Sequence, residues 1–394
     1  MPLNLSREPI VIVGAGPVGL TLAWRLAQGG LPVKIFEAES EITDQLRAST
    51  FHPPTLDYFD ASGITAELIN NGRITPTWQI RMHDTAERAE FDLSILSNDT
   101  AHPYRLQCRQ AILSKALAKR LPSDTLYFGN PVTKVSQDSE GVSVTVDNQV
   151  IRGCLLIGCD GARSLVRKAL GANFEGATYP ENTILITTHF PFEQHLKELS
   201  GVNYIWKPGG TYSLLRLPEL WRVSLHPAEG QTPEEALTDK SIRAQTRDVV
   251  PNAGDLNIVE KRIYKVHRRV ATHYRNGRMF IAGDAAHLNS PKGGMGMNGG
   301  IHDVWCLADL LIDVANGGNS KTLDTYEARR RPIARDDIVA QADSNRARMN
   351  TTNEGERNDH LKRLQQIAND PNKARQFLLR SSMIEGLRRS EMLA

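Results

Sequence analysis

Three stretches of the chain share one hydrophobic pattern, in which a short apolar run ends at a glycine and a polar turn leads toward a helix. Residues 9–13 are such a run before G-A-G-P-V-G, residues 155–157 precede G-C-D-G-A-R-S, and residues 279–282 precede G-D-A-A-H. Runs of this length predict buried strands. Their repeated alternation with helical patterns is typical of an α/β fold with a parallel sheet.

The first of these units is the most complete. Its helix is expected to stop at the two glycines 29–30, and residues 33–37 then form a second strand that closes a parallel β-α-β unit. The G-x-G-x-x-G glycines of the turn are Gly14, Gly16 and Gly19. Backbone amides at such a turn bind a pyrophosphate, and Glu37 can accept hydrogen bonds from an adenosine ribose. The unit predicts dinucleotide binding and leaves FAD and NAD as alternatives.

A second G-x-G-x-x-G, at Gly294, Gly296 and Gly299, does not repeat this unit. A polar loop containing Pro291 separates it from the strand before, and the sequence after its helix continues as helix. We therefore interpret residues 293–300 as a loop whose free amides and helix dipole face a partly negative group, such as the pyrimidine side of a reduced flavin. Glycine also lets a flat ring approach closely.

Two aspartates, Asp160 and Asp284, lie where the second and third apolar runs end. Ligands of open α/β sheets bind at the carboxyl ends of the strands. An Asp-Gly pair by itself is more often only a turn, and the third motif is what gives Asp160 a functional interpretation.

Between the second and third motifs the pattern changes to short segments of alternating polarity. Four lie within residues 183–225, and residues 77–82 add a fifth, so we expect a largely antiparallel sheet that is discontinuous in sequence. Thr232 begins a capping-box helix that should pack on this sheet.

Pro332 is predicted to begin a helix. The charged tail from residue 353 has apolar positions spaced as on amphipathic helices, which we expect to pack on the dinucleotide-binding part or across a dimer rather than on an anionic membrane.

Composition narrows the function classes. A chain of 394 residues is longer than one domain with a single hydrophobic core usually is. Its 40% hydrophobic and 23% charged residues are typical of a globular protein. A net charge of +2 indicates no nucleic-acid partner. We expect no integral membrane segment and no export signal. The four cysteines form no C-x-x-C pair, so neither a metal site nor a disulfide framework is predicted, and a reducing cytoplasm is the expected setting.

In order, G-A-G-P-V-G-L, G-C-D-G-A-R-S and G-D-A-A-H-L-N-S-P-K-G-G-M-G-M-N closely resemble the motifs of the single-component FAD-dependent aromatic hydroxylases, typified by p-hydroxybenzoate hydroxylase and phenol hydroxylase. The resemblance spans most of residues 8–345. Residues 47–53, R-A-S-T-F-H-P, are similar to the segment that follows the second strand in the phenol-hydroxylase branch.

The resemblance implies FAD as the cofactor and gives each motif a part in holding it. Asp284 would bind the ribityl diol, and Asp160 would lie near the pyrophosphate and the path of the nicotinamide. Residues implied to hold the adenosine half are Gly14, Gly16, Gly19 and Glu37. Those implied near the phosphates and ribityl chain are Arg47 and Arg109. Those implied to line the isoalloxazine ring are Pro291, Gly294, Gly296, Met297 and Asn298.

The same resemblance implies a monooxygenase that uses NADH or NADPH and O2 to hydroxylate a phenol-like or heteroaromatic small molecule through a flavin C4a-hydroperoxide. That chemistry needs a pocket that excludes water and a polar group that makes the ring electron-rich. We expect His52, Tyr212 and Pro291 to be the catalytic residues, with Pro291 beside the flavin. Candidates by region only are His189, Tyr204 and Arg216.

Two alternative functions stay open. A FAD-dependent reductase or epoxidase acting on an isoprenoid or quinone precursor would keep the flavin site, and a non-catalytic flavin-binding protein would keep the fold without turnover. Where the family most often has two prolines followed by a small or apolar residue, this chain has Ser290-Pro291-Lys292. We interpret Lys292 as a solvated loop lysine, with pairing to a substrate carboxylate or a nicotinamide phosphate as the alternative.

The predicted architecture is therefore α/β, with a Rossmann-type FAD-binding domain interleaved with a β-sheet substrate domain, plus C-terminal helices. The expected FAD-binding segments are 1–75, 101–178 and 268–345, the expected substrate segments are 76–100 and 179–267, and the helical segment is 346–394. A homodimer is the expected assembly, if the chain associates.

Overall fold

The computed structural model describes residues 5, 8–45, 47–208, 210–228, 230–251, 256–351 and 353–393. Within them, twenty strands and fourteen α-helices form. The strands are β1 (Ile10–Val13), β2 (Val33–Phe36), β3 (Thr50–Phe51), β4 (Arg73–Thr75), β5 (Thr77–Met82), β6 (Arg88–Asp92), β7 (Arg105–Gln107), β8 (Leu126–Tyr127), β9 (Val132–Gln137), β10 (Val142–Val146), β11 (Gln149–Gly153), β12 (Leu155–Gly158), β13 (Phe174–Thr188), β14 (Val202–Lys207), β15 (Gly210–Arg216), β16 (Trp221–Leu225), β17 (Ile258–Ala271), β18 (Arg275–Asn276), β19 (Met279–Ile281) and β20 (His287–Leu288).

The helices are α1 (Pro17–Gln28), α2 (Pro53–Asp60), α3 (Ile64–Asn70), α4 (Gln110–Ala118), α5 (Leu165–Leu170), α6 (Phe192–His195), α7 (Pro233–Ala236), α8 (Asp239–Arg247), α9 (Met295–Ala315), α10 (Thr325–Ile333), α11 (Ala340–Met349), α12 (Glu354–Ala368), α13 (Pro371–Ser381) and α14 (Ile384–Met392). Three short 3-10 turns occupy Leu93–Leu96, Gly283–Ala285 and Ser320–Asp324.

A six-stranded sheet in the order β18-β19-β12-β1-β2-β8 brings the three sequence motifs together. β1 pairs in parallel with β12 and β2, so that Ile10 faces Leu155 on one side and Val33 on the other. β12 also pairs in parallel with β19. The turns that follow β1, β12 and β19 therefore leave the same edge of the sheet side by side, which confirms the predicted α/β fold with a parallel sheet.

An eight-stranded sheet, β20-β17-β13-β16-β15-β14-β5-β6, lies across this edge. It is antiparallel except where β5 and β14 pair in parallel, and β5 comes from a distant part of the chain as predicted. The capping box at Thr232 forms, and residues of α7 and α8 join the apolar cluster of the sheet. The expected boundaries after residues 178 and 267 fall inside the long strands β13 and β17.

The carboxyl-terminal helices pack mainly on the β5–β6 end of the large sheet. Trp78 and Phe91 on those strands stack on each other and on Phe377 of α13, with ring centroids 4.6–6.0 Å apart. The expectation that the tail covers the dinucleotide-binding part holds only for α14, which packs on α10. The physical reason is that the two aromatic side chains of the sheet edge need an apolar cover.

The prediction that Pro332 begins a helix is wrong. Pro332 lies inside α10, and the residues directly after this helix, Ala334–Val339, continue as a π-helical segment before α11. Proline lacks the amide hydrogen that would bond to the preceding turn. A widened turn is a known way for a helix to continue past such a break.

One buried ion network joins the third motif to three helices. The Asp303 carboxylate on α9 accepts from Arg330 Nε at 2.9 Å, from His287 Nε2 at 2.9 Å and from the Gly283 amide at 3.3 Å. Arg330 Nη1 also donates to Ser390 Oγ on α14. Asp303 and Arg330 are almost fully enclosed, because their side chains are 0% and 1% exposed. Each charge therefore depends on its partners to offset the loss of water.

We predict that Asp303→Asn lowers the free energy of unfolding by about 3–5 kcal/mol, because it leaves the buried Arg330 charge without its carboxylate. Asp309→Asn is the matched control, since Asp309 lies on the same helix and pairs with Arg25 but has a side chain that is 52% exposed. Its loss should stay below about 1 kcal/mol. Urea unfolding of the FAD-loaded variants measures both, and equal losses would contradict the assigned role of the network.

Candidate active site

A cavity of about 830 Å³ lies between the three motif turns and one face of the eight-stranded sheet. The predicted site residues that line it are Gly14, Gly16, Glu37, Arg47, Asp160, Tyr212, Asp284, Pro291, Gly294, Gly296 and Met297. The predicted site residues outside its lining are Gly19, His52, Arg109 and Asn298. The structure thus brings residues from all three motifs to one space.

The first turn has room for a ligand only at Gly16. A Cβ atom on Gly19 would lie 2.0 Å from the Gly14 carbonyl oxygen, and one on Gly14 would lie 2.5 Å from the Cys159 oxygen, so these two glycines serve the close packing of the turn. A Cβ atom on Gly16 would meet no protein atom within 4 Å. A side chain at Gly16 would instead enter the cavity, where backbone amides at the start of α1 are suited to a pyrophosphate.

Glu37 and Asp160 hold the backbone at the cavity wall. Glu37 accepts hydrogen bonds from the Ala15 amide at 2.7 Å and from the Glu39 amide at 3.0 Å, so its carboxylate ties the glycine turn to the end of β2. Asp160 accepts from the Leu165 and Val166 amides at 2.7 and 3.1 Å and caps the start of α5. Asp160 therefore has a structural role as a cap of α5. Because it also lines the cavity, it is available to a ligand as well.

Asp284 lies in the 3-10 turn after β19 and lines the cavity. Protein encloses the carboxyl group on its other sides, and this desolvation raises its pKa above the ordinary value, while His287 and Arg47 act in the opposite direction. A carboxylate in this setting gains by accepting hydrogen bonds from hydroxyl groups of a ligand.

The loop before α9 is held from behind by Asn298 and His52. Asn298 Nδ2 donates to the carbonyl oxygens of Thr50 and Gly294 at 2.9 and 2.7 Å, and Asn298 Oδ1 accepts from the His52 amide at 3.0 Å. His52 Nε2 donates to the Gly293 carbonyl oxygen at 2.8 Å. Both side chains are 0% exposed. They therefore support the loop rather than face the cavity.

The pKa of His52 is lowered to about 3, first by burial and then by the charge of Arg105. Its imidazole is therefore neutral across the physiological range, and it donates from Nε2 to a carbonyl oxygen. A neutral ring in this position has no direct route to a substrate in the cavity. The resemblance of residues 47–53 to the phenol-hydroxylase branch drew attention to His52, whereas its orientation follows from its place as the residue before α2.

Arg109 and two regional candidates also lie outside the cavity lining. Arg109 precedes α4, and its guanidinium donates to the Asp44 carbonyl oxygen at 3.2 Å and pairs with Glu260 at 3.3 Å. His189 is exposed and bonds to the Glu219 carbonyl oxygen, and Arg216 pairs with Glu193. Tyr204 and Tyr212 do line the cavity.

The sheet side of the cavity contains polar residues that the sequence analysis did not single out. They are Glu181, Thr183, Arg222, His226, Arg262 and Tyr264. Arg222, Ser224 and His226 alternate along and just beyond β16, as Arg262, Tyr264 and Val266 do along β17. Alternate residues of a strand point to the same face of the sheet. Polar residues at alternate positions of β16 and β17 were therefore the sequence signal that could have predicted this wall.

Lys292 is half-buried rather than solvated, which corrects its interpretation as an ordinary loop lysine. Its Nζ donates to Asn350 Oδ1 at 3.3 Å. Burial lowers the pKa of Lys292 to about 8, with a further lowering from Arg346 and an opposing effect from Glu181. The side chain lines the cavity next to the loop that begins α9, so its charge acts on whatever occupies that space.

These features fit FAD on structural grounds. The turn at Gly16 leaves space for a pyrophosphate, Glu37 lies beside that turn at the end of β2, Asp284 offers a carboxylate for hydroxyl groups, and the start of α9 presents backbone amides. Gly294 has a φ of 70°, and a Cβ there would come within 2.9 Å of the Thr50 Cβ, so a larger residue would disturb the loop.

Comparison with known proteins agrees with this geometry. A family model described as an FAD binding domain matches residues 7–341. The 6-hydroxy-3-succinoylpyridine 3-monooxygenase HspB of Pseudomonas putida (strain DSM 28022 / S16) is 31% identical over 384 residues, which cover 94% of this chain and 97% of that relative. Para-nitrophenol 4-monooxygenase of Pseudomonas sp. (strain WBC-3) is 30% identical over 396 residues and 97% of both chains.

The crystal structure of p-nitrophenol 4-monooxygenase PnpA from Pseudomonas putida DLL-E4 is also similar, with a TM-score of 0.89 and 28% identity over 98% of this chain and 99% of that one. The fold and cavity define a FAD-dependent monooxygenase. The chain belongs to the FAD-binding-domain family that includes the aromatic-ring monooxygenases named above. Within the described part of the chain, none of the helices has the length and apolar character needed to cross a membrane.

We predict that Gly16→Ala weakens FAD binding by about tenfold or more, because the added methyl group enters the ligand space. Stability of the apoprotein should change by less than about 1 kcal/mol, since the backbone at Gly16 (φ −70°) accepts alanine and the entropy gain offsets alanine's poorer capping of α1. Flavin fluorescence titration and thermal unfolding measure the two effects. Gly210→Ala, at another open position outside the cavity lining, is the control. Unchanged FAD affinity in Gly16→Ala would contradict the placement of the pyrophosphate.

Proposed function

We propose that this monooxygenase hydroxylates a small phenol-like or hydroxypyridine-like ring with NADH or NADPH and O2. The observation that carries the proposal is the composition of the cavity wall opposite the FAD motifs, where tyrosines and buried cations from the eight-stranded sheet face the start of α9. The relatives named for 6-hydroxy-3-succinoylpyridine and para-nitrophenol support the same substrate class. A flavin supplies oxygen activation when bound.

In this proposal the motif residues hold FAD. Gly14, Gly16 and Gly19 shape the pyrophosphate turn, Glu37 accepts from the ribose, and Asp284 accepts from the ribityl hydroxyls. Arg47, Asp160 and the loop of Pro291, Gly294, Gly296 and Met297 complete the contacts from the cavity lining. His52 and Asn298 are positioning residues, because they fix the loop through its carbonyl oxygens and β3.

Buried positive charge supports a substrate with an electron-rich or anionic oxygen. Arg222 Nη1 donates to Ser49 Oγ at 3.1 Å, and burial lowers the pKa of its guanidinium. Among the described residues, no carboxylate forms an ion pair with Arg222. An enclosed guanidinium of this kind is stabilised by an oxygen anion in the adjoining cavity. A phenolate-like oxygen would also make the ring a better nucleophile toward an electrophilic oxygen.

Tyr212 lies at the cavity wall, but its ring packs in the apolar cluster on the other face of the sheet, with Leu214 and Val223. Its hydroxyl lies 2.8 Å from His83 Nδ1, and His83 is only half-buried. Burial raises the pKa of Tyr212, so the phenol stays protonated at neutral pH and acts by exchanging hydrogen bonds rather than as an anionic base. We therefore assign Tyr212 a positioning role, in which its bond to His83 fixes β15 behind the cavity wall, rather than the direct catalytic role expected from the sequence. No motif in the sequence pointed to His83.

We further propose that the enzyme works in the cytoplasm and as a homodimer. The four cysteines are free, and Cys108 and Cys154 are buried, which agrees with a reducing compartment. Two-fold dimers are the commonest closed assemblies. Cell fractionation tests the compartment, and light scattering coupled to size-exclusion chromatography tests the assembly.

The function is tested by measuring NADH and NADPH oxidation by the FAD-loaded protein with phenols, hydroxybenzoates, nitrophenols and hydroxypyridines. For at least one ring class we expect strong stimulation, little hydrogen peroxide, and product that carries an atom of isotopically labelled O2. Cyclohexanols of matched size are the control, because they lack an electron-rich ring. Stimulation that yields only peroxide with every ring class would reject the hydroxylase proposal.

A second prediction concerns the charge of Lys292. Because the pKa of Lys292 is lowered to about 8, its ammonium is present below that pH and is lost as the pH rises through it. Binding of benzoate, which stays ionised between about pH 6 and 9, should therefore weaken as the pH rises through about 8. Lys292→Met should weaken it about tenfold at pH 7 and remove that pH dependence.

Flavin absorbance changes on titration with benzoate measure this binding. Lys261→Met is the control, because Lys261 pairs with Asp239 on the surface and lies outside the cavity lining. A pH profile in Lys292→Met identical to that of the unmodified enzyme would show that Lys292 does not act on the ligand.

A further inference from the structure

A second, much smaller cavity lies behind the loop that begins α9. Its volume is about 20 Å³, which is room for one water-sized particle. Lys292, Tyr204 and Met349 line both this space and the main cavity, so the two spaces are neighbours. The remaining residues of its lining are Trp78, Ile80, Arg105, Gly293, Met295, Gln341, Asn345, Arg348, Phe377 and Ser381.

The charges around this small cavity are all of one sign. Arg105, Lys292 and Arg348 line it, and no aspartate or glutamate is among its lining residues. Within the described part of the chain, neither Arg105 nor Arg348 forms an ion pair. Burial lowers the pKa of both guanidinium groups, and the opposing effect comes from the Tyr204 hydroxyl rather than from a carboxylate. The positive charge is therefore not balanced by the protein itself.

Two hydrogen-bond donors at the same place lack acceptors. Arg105 Nε and Trp78 Nε1 are buried and have no hydrogen-bond partner among the described residues. Their residues are 3% and 4% exposed, and the Arg105 guanidinium lies 4.9 Å from the centre of the Trp78 ring. Leaving two buried N–H groups unpaired is energetically unfavourable, so an acceptor that meets both is strongly favoured.

We propose that this cavity is a binding site for one monoatomic anion of the size of chloride, held by Arg105 and Trp78. An anion satisfies the donors and the local charge together, whereas a water molecule satisfies only the donors. The volume excludes a phosphate, and a substrate carboxylate would have to enter past Lys292. Lys292 is shared with the main cavity, but Arg105 and Trp78, which hold the anion, line only the small one, so the proposal does not depend on the substrate contacts above.

The anion would stiffen the loop that faces the flavin. Gly293 and Met295 flank the small cavity on one side, and the same loop lines the main cavity through Gly294 and Gly296. A bound anion would also offset the positive charge of Arg105, which acts on His52. His52 in turn holds the loop, because its Nε2 donates to the Gly293 carbonyl oxygen. The anion is thus placed to stabilise the loop without touching the substrate.

Crystals of the FAD-loaded enzyme grown in sodium bromide test the site directly. We expect an anomalous signal at the bromine absorption edge within hydrogen-bonding distance of Trp78 Nε1 and Arg105 Nε. An ordered water at that position, with no anomalous signal, would overturn the proposal. This measurement needs no variant and no turnover.

Thermal unfolding at constant ionic strength provides the second test, with chloride replacing gluconate. The midpoint should rise by about 2 °C or more for the unmodified protein and stay constant for Arg105→Met. Arg88→Met is the control, because Arg88 lies on neighbouring β6, forms surface ion pairs and is outside the cavity. If Arg105→Met does not fold, Trp78→Phe should weaken the chloride effect at least about fivefold by removing one donor.

A third experiment distinguishes a free halide ion from an anionic group of the substrate as the occupant of the small cavity. The chloride effect should persist when either phenol or 4-hydroxybenzoate is bound. Its loss with 4-hydroxybenzoate alone would assign the subsite to the substrate carboxylate and overturn the halide assignment. Equal chloride responses in Arg105→Met and the unmodified protein would likewise overturn it.

Discussion

The buried carboxylate of Asp303 is the interaction on which the active-site architecture depends most. It joins the turn after β19 to α9 and α10, and through Arg330 it reaches α14. The same turn carries Asp284 into the cavity, so a charge with no access to solvent sets the position of a residue that faces the ligand. An ion network of this kind contributes little net free energy when complete and a large penalty when one member is lost. It therefore acts chiefly by allowing only one arrangement of these elements.

Around this centre, the cavity is built from turns that neighbouring parallel strands present at one edge. The loop before α9 is then supported from behind by Asn298 and His52 and has buried cations on both of its sides. The enzyme places residues that meet the ligand on rigid strand ends and helix starts, and residues that fix them in a layer behind. Preorganised groups need little rearrangement during the reaction, which is what catalysis in a water-excluding cavity requires.

The parts of the site that follow from local sequence were predictable, and the parts that depend on side-chain direction were not. Glu37, Asp160 and Asp284 could be located because each follows an apolar strand whose parallel neighbours end at the same edge. Asn298 belongs to the third motif and His52 to residues 47–53, but both side chains lie outside the cavity lining, a distinction that the spacing of glycines does not contain. Arg222 and His226 were detectable from alternation along a strand, whereas Arg105 and Trp78 meet Arg348 only through the tertiary fold. The predicted boundaries of the two domains, and the roles of individual site residues, stay predictions.

The parallel pairing of β5 with β14 has a consequence for how the chain acquires its structure. Trp78 lies opposite Val202, so the β5–β6 hairpin has no neighbour in the sheet until β14 has been synthesised. Until then its edge and its apolar face remain uncovered, and the helices that finally shield Trp78 and Phe91 are synthesised later still. Non-local pairing of this kind slows folding and leaves apolar surface exposed, which favours aggregation with other chains. The sheet that covers the active site therefore makes β5 and β6 dependent on β14 and α13, and a fragment that lacks these elements should fold poorly.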